Sequence, residues 1–156
     1  MAFDVTIEIN KSFSVAAHAD KVFEVLADVP ESTSHFPKLD NLVKESDNQY
    51  RWEMEKVGAG SASIQTIYAC EYQSDASTRD ISWKPAKTKD SNAEVFGTWK
   101  ITEAANGGTD IVFETKATLT LPLPKLTRAM ISPVVKMEFE GMIDKYIDNL
   151  HEVFKA

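Results

Sequence analysis

From Leu126 to Phe154 the chain reads as one long amphipathic helix, and most of what precedes it reads as strand. Val135, Phe139, Ile143, Tyr146, Ile147, Leu150 and Phe154 recur at helical spacing, and Met142 and Val153 widen the stripe. Lys136, Glu138, Glu140, Asp144, Lys145, Asp148, Glu152 and Lys155 form the other face. A stripe that broad requires a large apolar surface to cover it. The strands provide one, and they bring large side chains to it. The arrangement this predicts is a helix closing over a curved sheet, with an enclosed apolar pocket between them.

The strands are read from alternation. Phe3, Val5, Ile7, Ile9, Lys11, Phe13 and Val15 alternate with Asp4, Thr6, Glu8, Asn10, Ser12 and Ser14, a half-buried strand. The period then changes. Val22, Phe23, Val25, Leu26 and Val29 fit a short helix, which Asp28-Val29-Pro30 ends because a residue before proline disfavours helix. Pro30-Glu31-Ser32 starts a second short helix, with Phe36-Pro37 as its stop.

Six further strands are predicted. Leu39 to Ser46 is the second, and Tyr50, Trp52 and Met54 mark the third. Gly58-Ala59-Gly60 reads as a turn. Ala62, Ile64, Thr66, Tyr68, Cys70 and Tyr72 mark a fourth, and Ile81, Trp83 and Pro85 a fifth. Val95, Gly97, Trp99 and Ile101 mark a sixth. Asn106-Gly107-Gly108 signals a hairpin into the seventh, Ile111 to Leu121. Pro122 and Pro124 end that strand. The long helix begins near Lys125, with a kink or break at Pro133.

Composition bounds the function classes. A chain of 156 residues without a linker or repeat is one domain, residues 1–156. The net charge of −7 argues against nucleic acid, which needs a clustered basic face. Stable insertion in a membrane is not expected, since no apolar run is long enough to span one. One cysteine, Cys70, allows neither an internal disulfide nor a thiolate zinc cage. The start, MAFDVTIEIN, lacks the basic region and long apolar run of a secretory leader, so a cytoplasmic protein is predicted.

The order strand, two short helices, six strands and long helix is distinctive. With ADKVFEVLADVPESTSHFP, FGTWKIT, TDIVFETKATLTLPLP and the terminal EFEGMIDKYIDNLHEVFKA, the chain resembles the SRPBCC superfamily over nearly its whole length. That group includes START-related lipid carriers, pollen-allergen-like proteins, coenzyme Q-binding proteins and polyketide cyclases. The resemblance implies an α+β helix-grip fold: a seven-stranded antiparallel sheet curved round the C-terminal helix, two short helices between strands 1 and 2, and a cavity between sheet and helix. It specifies architecture rather than activity.

The residues assigned to the cavity wall are Trp52, Met54, Tyr68, Trp83, Gly97, Trp99, Phe113, Phe139, Met142 and Tyr146. Three tryptophans on three strands are bulky to bury without partners for their indole N–H groups, which favours a pocket over plain core. An inward Gly97 marks close approach by ligand or by the closing helix. Gly141 is read as a site of close packing of the helix on the sheet. The lip of the cavity is assigned to Leu121, Leu123, Leu126 and Met130, an apolar connection interrupted by prolines; it is read as a ligand gate or a surface for peripheral membrane or partner contact.

No catalytic residue is assigned. His18, His35 and His151 are isolated, and no carboxylate pairs with another titratable group as an acid–base couple requires. Neither metal nor cofactor is expected, since no ligand spacing or nucleotide fingerprint is present. Cys70 shares the inward phase of Tyr68 and reads as a buried small hydrophobe. Three readings stay open: a binder or carrier of a lipid-, isoprenoid- or polyketide-like molecule; a cyclase- or dehydratase-like enzyme folding a polyketide-like substrate; and a ligand-free interaction protein of a ribosome, chaperone or membrane complex.

Overall fold

A computed structural model describes residues 2–59 and 62–155. Strand β1 (Phe3–Val15) leads into helices α1 (Ala19–Ala27) and α2 (Val29–Thr33). Strands β2 (Leu39–Ser46), β3 (Gln49–Met54), β4 (Val57–Ala59), β5 (Ala62–Ile64), β6 (Ile67–Asp75), β7 (Asp80–Ala86), β8 (Ala93–Glu103) and β9 (Thr109–Leu121) follow. A 3-10 turn (Lys125–Thr127) runs into helix α3 (Arg128–Val153). The main sheet has seven strands in the order β1-β9-β8-β7-β6-β3-β2, every neighbour antiparallel. This is the helix-grip α+β architecture.

The hydrophobic period sets the faces. Phe3, Val5, Ile7 and Ile9 of β1 are buried while the residues between them are exposed, and β9 repeats the pattern at Ile111, Phe113, Thr115 and Ala117. The two strands pair from Phe3 opposite Leu121 to Val15 opposite Thr109. Side chains cap the short helices. His18 Nδ1 accepts from Asp20 N–H at 3.2 Å, and Asp28 Oδ1 accepts from Glu31 N–H at 3.2 Å.

Helix α3 lies on the sheet through its C-terminal half. Ile143, Tyr146, Ile147, Leu150 and Phe154 are buried, and Phe154 C=O accepts from Ala17 N–H at 3.0 Å, fixing the chain end beside β1. The stripe is covered less fully toward the start of the helix, where Val135, Phe139 and Met142 are half-buried. Apolar side chains are also exposed there: Met130, Val134 and Met137 are 71%, 61% and 68% exposed. Pro133 sits inside the helix, and the helix continues through it. Gly141 meets no side chain or backbone within 4 Å of an added β-carbon, so the close packing expected at that glycine is absent.

Two strand expectations need correction. The predicted fourth strand is two pieces, because side-chain amides interrupt the ladder at Gln65 and Thr66. Asn92 accepts from Ile67 N–H at 2.8 Å and donates to Gln65 C=O at 2.7 Å, and Gln65 donates to Met54 C=O at 2.9 Å. The expected turn at Gly58-Ala59-Gly60 is also shifted. Gly58 and Ala59 belong to β4, which pairs with β5 as a separate two-stranded ribbon; Gly60 lies outside the described residues.

Candidate functional site

The sheet, α2 and α3 form two adjacent apolar chambers. The inner one is about 60 Å3 and is lined by Trp52, Tyr68, Trp83, Trp99, Phe113, Phe139 and Tyr146 among the residues assigned from sequence. The outer one is about 170 Å3 and more apolar, and it takes Met54, Tyr68, Phe139 and Met142 together with Leu121 and Leu123 of the lip. Tyr68, Val95 and Phe139 line both, so they form the partition. Each chamber is smaller than the roughly 300–1,000 Å3 of a typical ligand site. The outer one exceeds the roughly 150 Å3 that suffices for one benzene ring.

Cross-strand register builds the aromatic wall. Trp52 faces Tyr68 across β3 and β6, and the rings stack at 5.5 Å with planes 15° apart. Trp99 faces Phe113 across β8 and β9, with ring centroids 4.6 Å apart. Trp83 bridges the two groups, lying 6.0 Å from Tyr72 and 5.9 Å from Phe113. Phe36, just after α2, meets Trp52 edge-on at 5.4 Å and Tyr146 at 5.0 Å. Such pairs add to the area they bury and hold the wall rigid.

The close approach at Gly97 comes from neither ligand nor helix. Trp83 is its cross-strand partner, and the indole lies directly over it, so Gly97 lines neither chamber. Leu126 and Met130 also stand apart from the chambers; Leu126 is 97% exposed. The lip therefore divides into an inward half, Leu121 and Leu123, and an outward half, Leu126 and Met130.

Polar groups inside are few and mostly paired. Trp52 Nε1–H donates to the Tyr72 hydroxyl at 2.8 Å. The Tyr146 and Ser32 hydroxyls are bonded to each other, tying α3 to α2. Cys70 Sγ–H donates to Val95 C=O at 3.4 Å, and Thr115 Oγ1–H to Phe96 C=O at 2.9 Å. Burial pushes the Cys70 thiol up to about 12 and raises the phenols of Tyr68, Tyr72 and Tyr146 above the usual tyrosine range. The charged groups stay at the rim of the outer chamber, where Lys38 pairs with Glu138 beside Glu55. Glu138 is thus a rim residue, where the sequence placed it on a solvated face. Its hydrogen bond and charge raise the Lys38 ammonium above its ordinary range.

The histidines lie outside both chambers. His18 caps α1, His151 packs against Phe13 at 5.2 Å, and His35 stands beside the wall while only its neighbour Phe36 enters it. Sequence reasoning did not assign Ser32, Thr33, Phe36, Tyr72 or Thr115 to the cavity wall, and all of them line the inner chamber. Tyr72 and Thr115 were accessible to it, since they share the inward phase of Tyr68 and Phe113. Ser32 and Thr33 gave no signal; only the packing of α2 brings them in. Among the described residues no group of three or more His, Cys, Asp or Glu side chains could hold a metal ion. No helix among them is long and apolar enough to cross a membrane.

Solved structures share this architecture. An aromatase/cyclase, Zhui, from Streptomyces sp. R1128 is 18% identical, with 94% of this chain and 90% of that one covered and a TM-score of 0.60. A START superfamily protein from Mycobacterium smegmatis is 16% identical, covering 94% and 96%, with a TM-score of 0.65. The protein TTHA0849 from Thermus thermophilus is 16% identical, covering 93% and 94%, also at 0.65. At these identities the likeness is one of fold. No curated protein matches the sequence. A family model described as polyketide cyclase / dehydrase and lipid transport matches residues 6–155, and with nearly the whole chain matched and the helix-grip fold in place, the protein belongs to that family within the SRPBCC superfamily.

Proposed function

We propose that this protein binds or carries a hydrophobic small molecule, lipid-, isoprenoid- or polyketide-like, in the cytoplasm, and holds it between the sheet and α3. One observation carries the reading: an aromatic wall lining two chambers whose charged groups are confined to the outer rim. A space of that kind excludes water and ions and rewards apolar surface, about 25 cal/mol per Å2 removed from water. Family membership supports the same class of ligand.

Entry is assigned to the lip from Leu121 to Met130. Leu121 and Leu123 line the outer chamber, and Pro122 and Pro124 keep the segment out of a strand ladder. The exposed Leu126 and Met130 next to it offer a surface for peripheral membrane contact.

A cyclase- or dehydratase-like enzyme would need an acid or base at depth. The ionisable groups lining the inner chamber are Tyr68, Cys70, Tyr72 and Tyr146, all protonated at neutral pH in any setting and moved further from ionising by burial. That supports binding over proton transfer. Native mass spectrometry of the purified protein tests the proposal. A co-purifying apolar mass released by organic extraction is expected. A protein that carries nothing and takes up no lipid or aromatic probe would favour a ligand-free interaction protein instead.

A further inference from the structure

Three polar groups lining the inner chamber have no hydrogen-bond partner among the described residues, the Tyr68 hydroxyl and the Trp83 and Trp99 indole N–H groups, and of these residues only Tyr68 lines both chambers. Its side chain is 8% exposed and forms part of the partition between the chambers. The hydroxyls of Tyr72 and Tyr146 have Trp52 and Ser32 as partners. Among the described residues, the Tyr68 hydroxyl has none. The Tyr68 hydroxyl is not among the fully enclosed unpartnered atoms, which are His35 Nε2 and Thr98 Oγ1, so open space reaches it and a ligand in the chambers can supply its partner. Its ring is fixed by the stack on Trp52, so the hydroxyl cannot swing out to solvent without breaking that contact.

We propose that the Tyr68 hydroxyl is the hydrogen-bond donor that orients the ligand, which is therefore an uncharged, largely apolar molecule with an acceptor oxygen set one or two atoms from one end. This rests on the apolar-ligand reading above and narrows it. The position of the acceptor follows from the chamber sizes. The inner chamber, about 60 Å3, has room for a short arm only. The outer chamber, about 170 Å3, takes the bulkier ring or chain. An oxygen at the partition meets Tyr68, with the short arm pointing toward Trp99 and Phe113 and the bulk toward Met54 and Met142. A carboxylate at that point is disfavoured, because the one cation among the described residues lining either chamber, Lys38, is already paired with Glu138.

Acetophenone and α-methylstyrene test this directly. They have the same shape, and only the ketone offers an acceptor oxygen. Their binding to the wild type and to Tyr68→Phe is followed by NMR titration, with thermal unfolding as the check on folding. The expected result is that Tyr68→Phe weakens acetophenone about three- to tenfold, the range of one net hydrogen bond, and leaves α-methylstyrene within about twofold. Equal weakening of both probes, or of neither, overturns the assignment while leaving the apolar cavity standing. If neither probe binds the wild type, the apolar-ligand reading itself fails, and this assignment with it. Should Tyr68→Phe not fold, the carbonyl stretch of 13C=O acetophenone on the wild type decides. A frequency below that in hexane is expected, and a hexane-like frequency overturns the proposal.

Discussion

The indole of Trp83 occupies the space a side chain at position 97 would need. A β-carbon added to Gly97 would stand closer to Trp83 Cζ2 than any real contact allows. Glycine here makes room for one wall residue and so shapes the chamber without touching it.

Gly97→Ala should therefore displace the Trp83 ring. Overpacking of this kind costs about 1–3 kcal/mol. Urea denaturation should show a lower midpoint with an unchanged slope, and tryptophan emission should shift as the ring moves. An unaltered midpoint would mean that Trp83 relaxes freely.

The hydroxyl pair of Ser32 and Tyr146 joins α2 to α3 across the inner chamber, and both residues are about 5% exposed. Tyr146→Phe leaves the Ser32 hydroxyl buried and unpaired, at a cost of about 1–3 kcal/mol. Adding Ser32→Ala should recover part of that loss. A double-mutant cycle checks it, and strict additivity would deny the coupling.

Stability should fall at high pH. The Cys70 thiol rises from 9.0 to about 12 on folding because burial disfavours the thiolate. Above pH 9 the unfolded chain binds fewer protons than the folded one, so unfolding becomes more favourable as pH rises. The contribution is complete below pH 9 and is lost progressively toward about 12. Tyr68, Tyr72 and Tyr146 act in the same direction. Denaturation midpoints at pH 8, 9 and 10 should decline, and Cys70→Ala should flatten part of the decline. At pH 8 the native thiol should react with a disulfide reagent only as fast as the protein opens.

The two halves of the lip should separate on mutation. Leu123→Ser places a hydroxyl in the wall of the outer chamber and should weaken acetophenone severalfold. Leu126→Ser changes a residue that is 97% exposed and should leave that affinity unaltered. Equal effects would move the entry route elsewhere, with the loop at Phe36 and Pro37 the next candidate. Amide exchange should show weaker protection from Leu121 to Met130 than in the flanking strand and helix, and ligand should raise it.

The sequence made the frame legible where period and burial coincide. The alternation of Phe3 to Val15 fixed β1 to the residue, and the phase of Trp52, Trp83, Trp99 and Phe113 put all four on the concave face. What it could not reveal depends on contacts between distant residues. Asn92 splits the predicted fourth strand through bonds to Gln65 and Ile67, and nothing near either residue announces it. Gly97 reads correctly as a point of close approach, but the approaching group is its neighbour across the sheet. Ser32 enters the chamber only because α2 packs against α3. Leu126 and Met130 fit the apolar pattern of the lip yet face outward, since composition does not say which side of a connection meets the core.

The central claim is that the space between sheet and helix takes up an apolar molecule, and the methionine methyls report on it most directly. Met54 and Met142 line the outer chamber, while Met130 and Met137 are 71% and 68% exposed on the outside of the helix. With 13C-methyl methionine, titration with acetophenone should shift Met54 and Met142 saturably and leave Met130 and Met137 in place. No saturable shift at Met54 and Met142, or shifts confined to Met130 and Met137, would contradict the account.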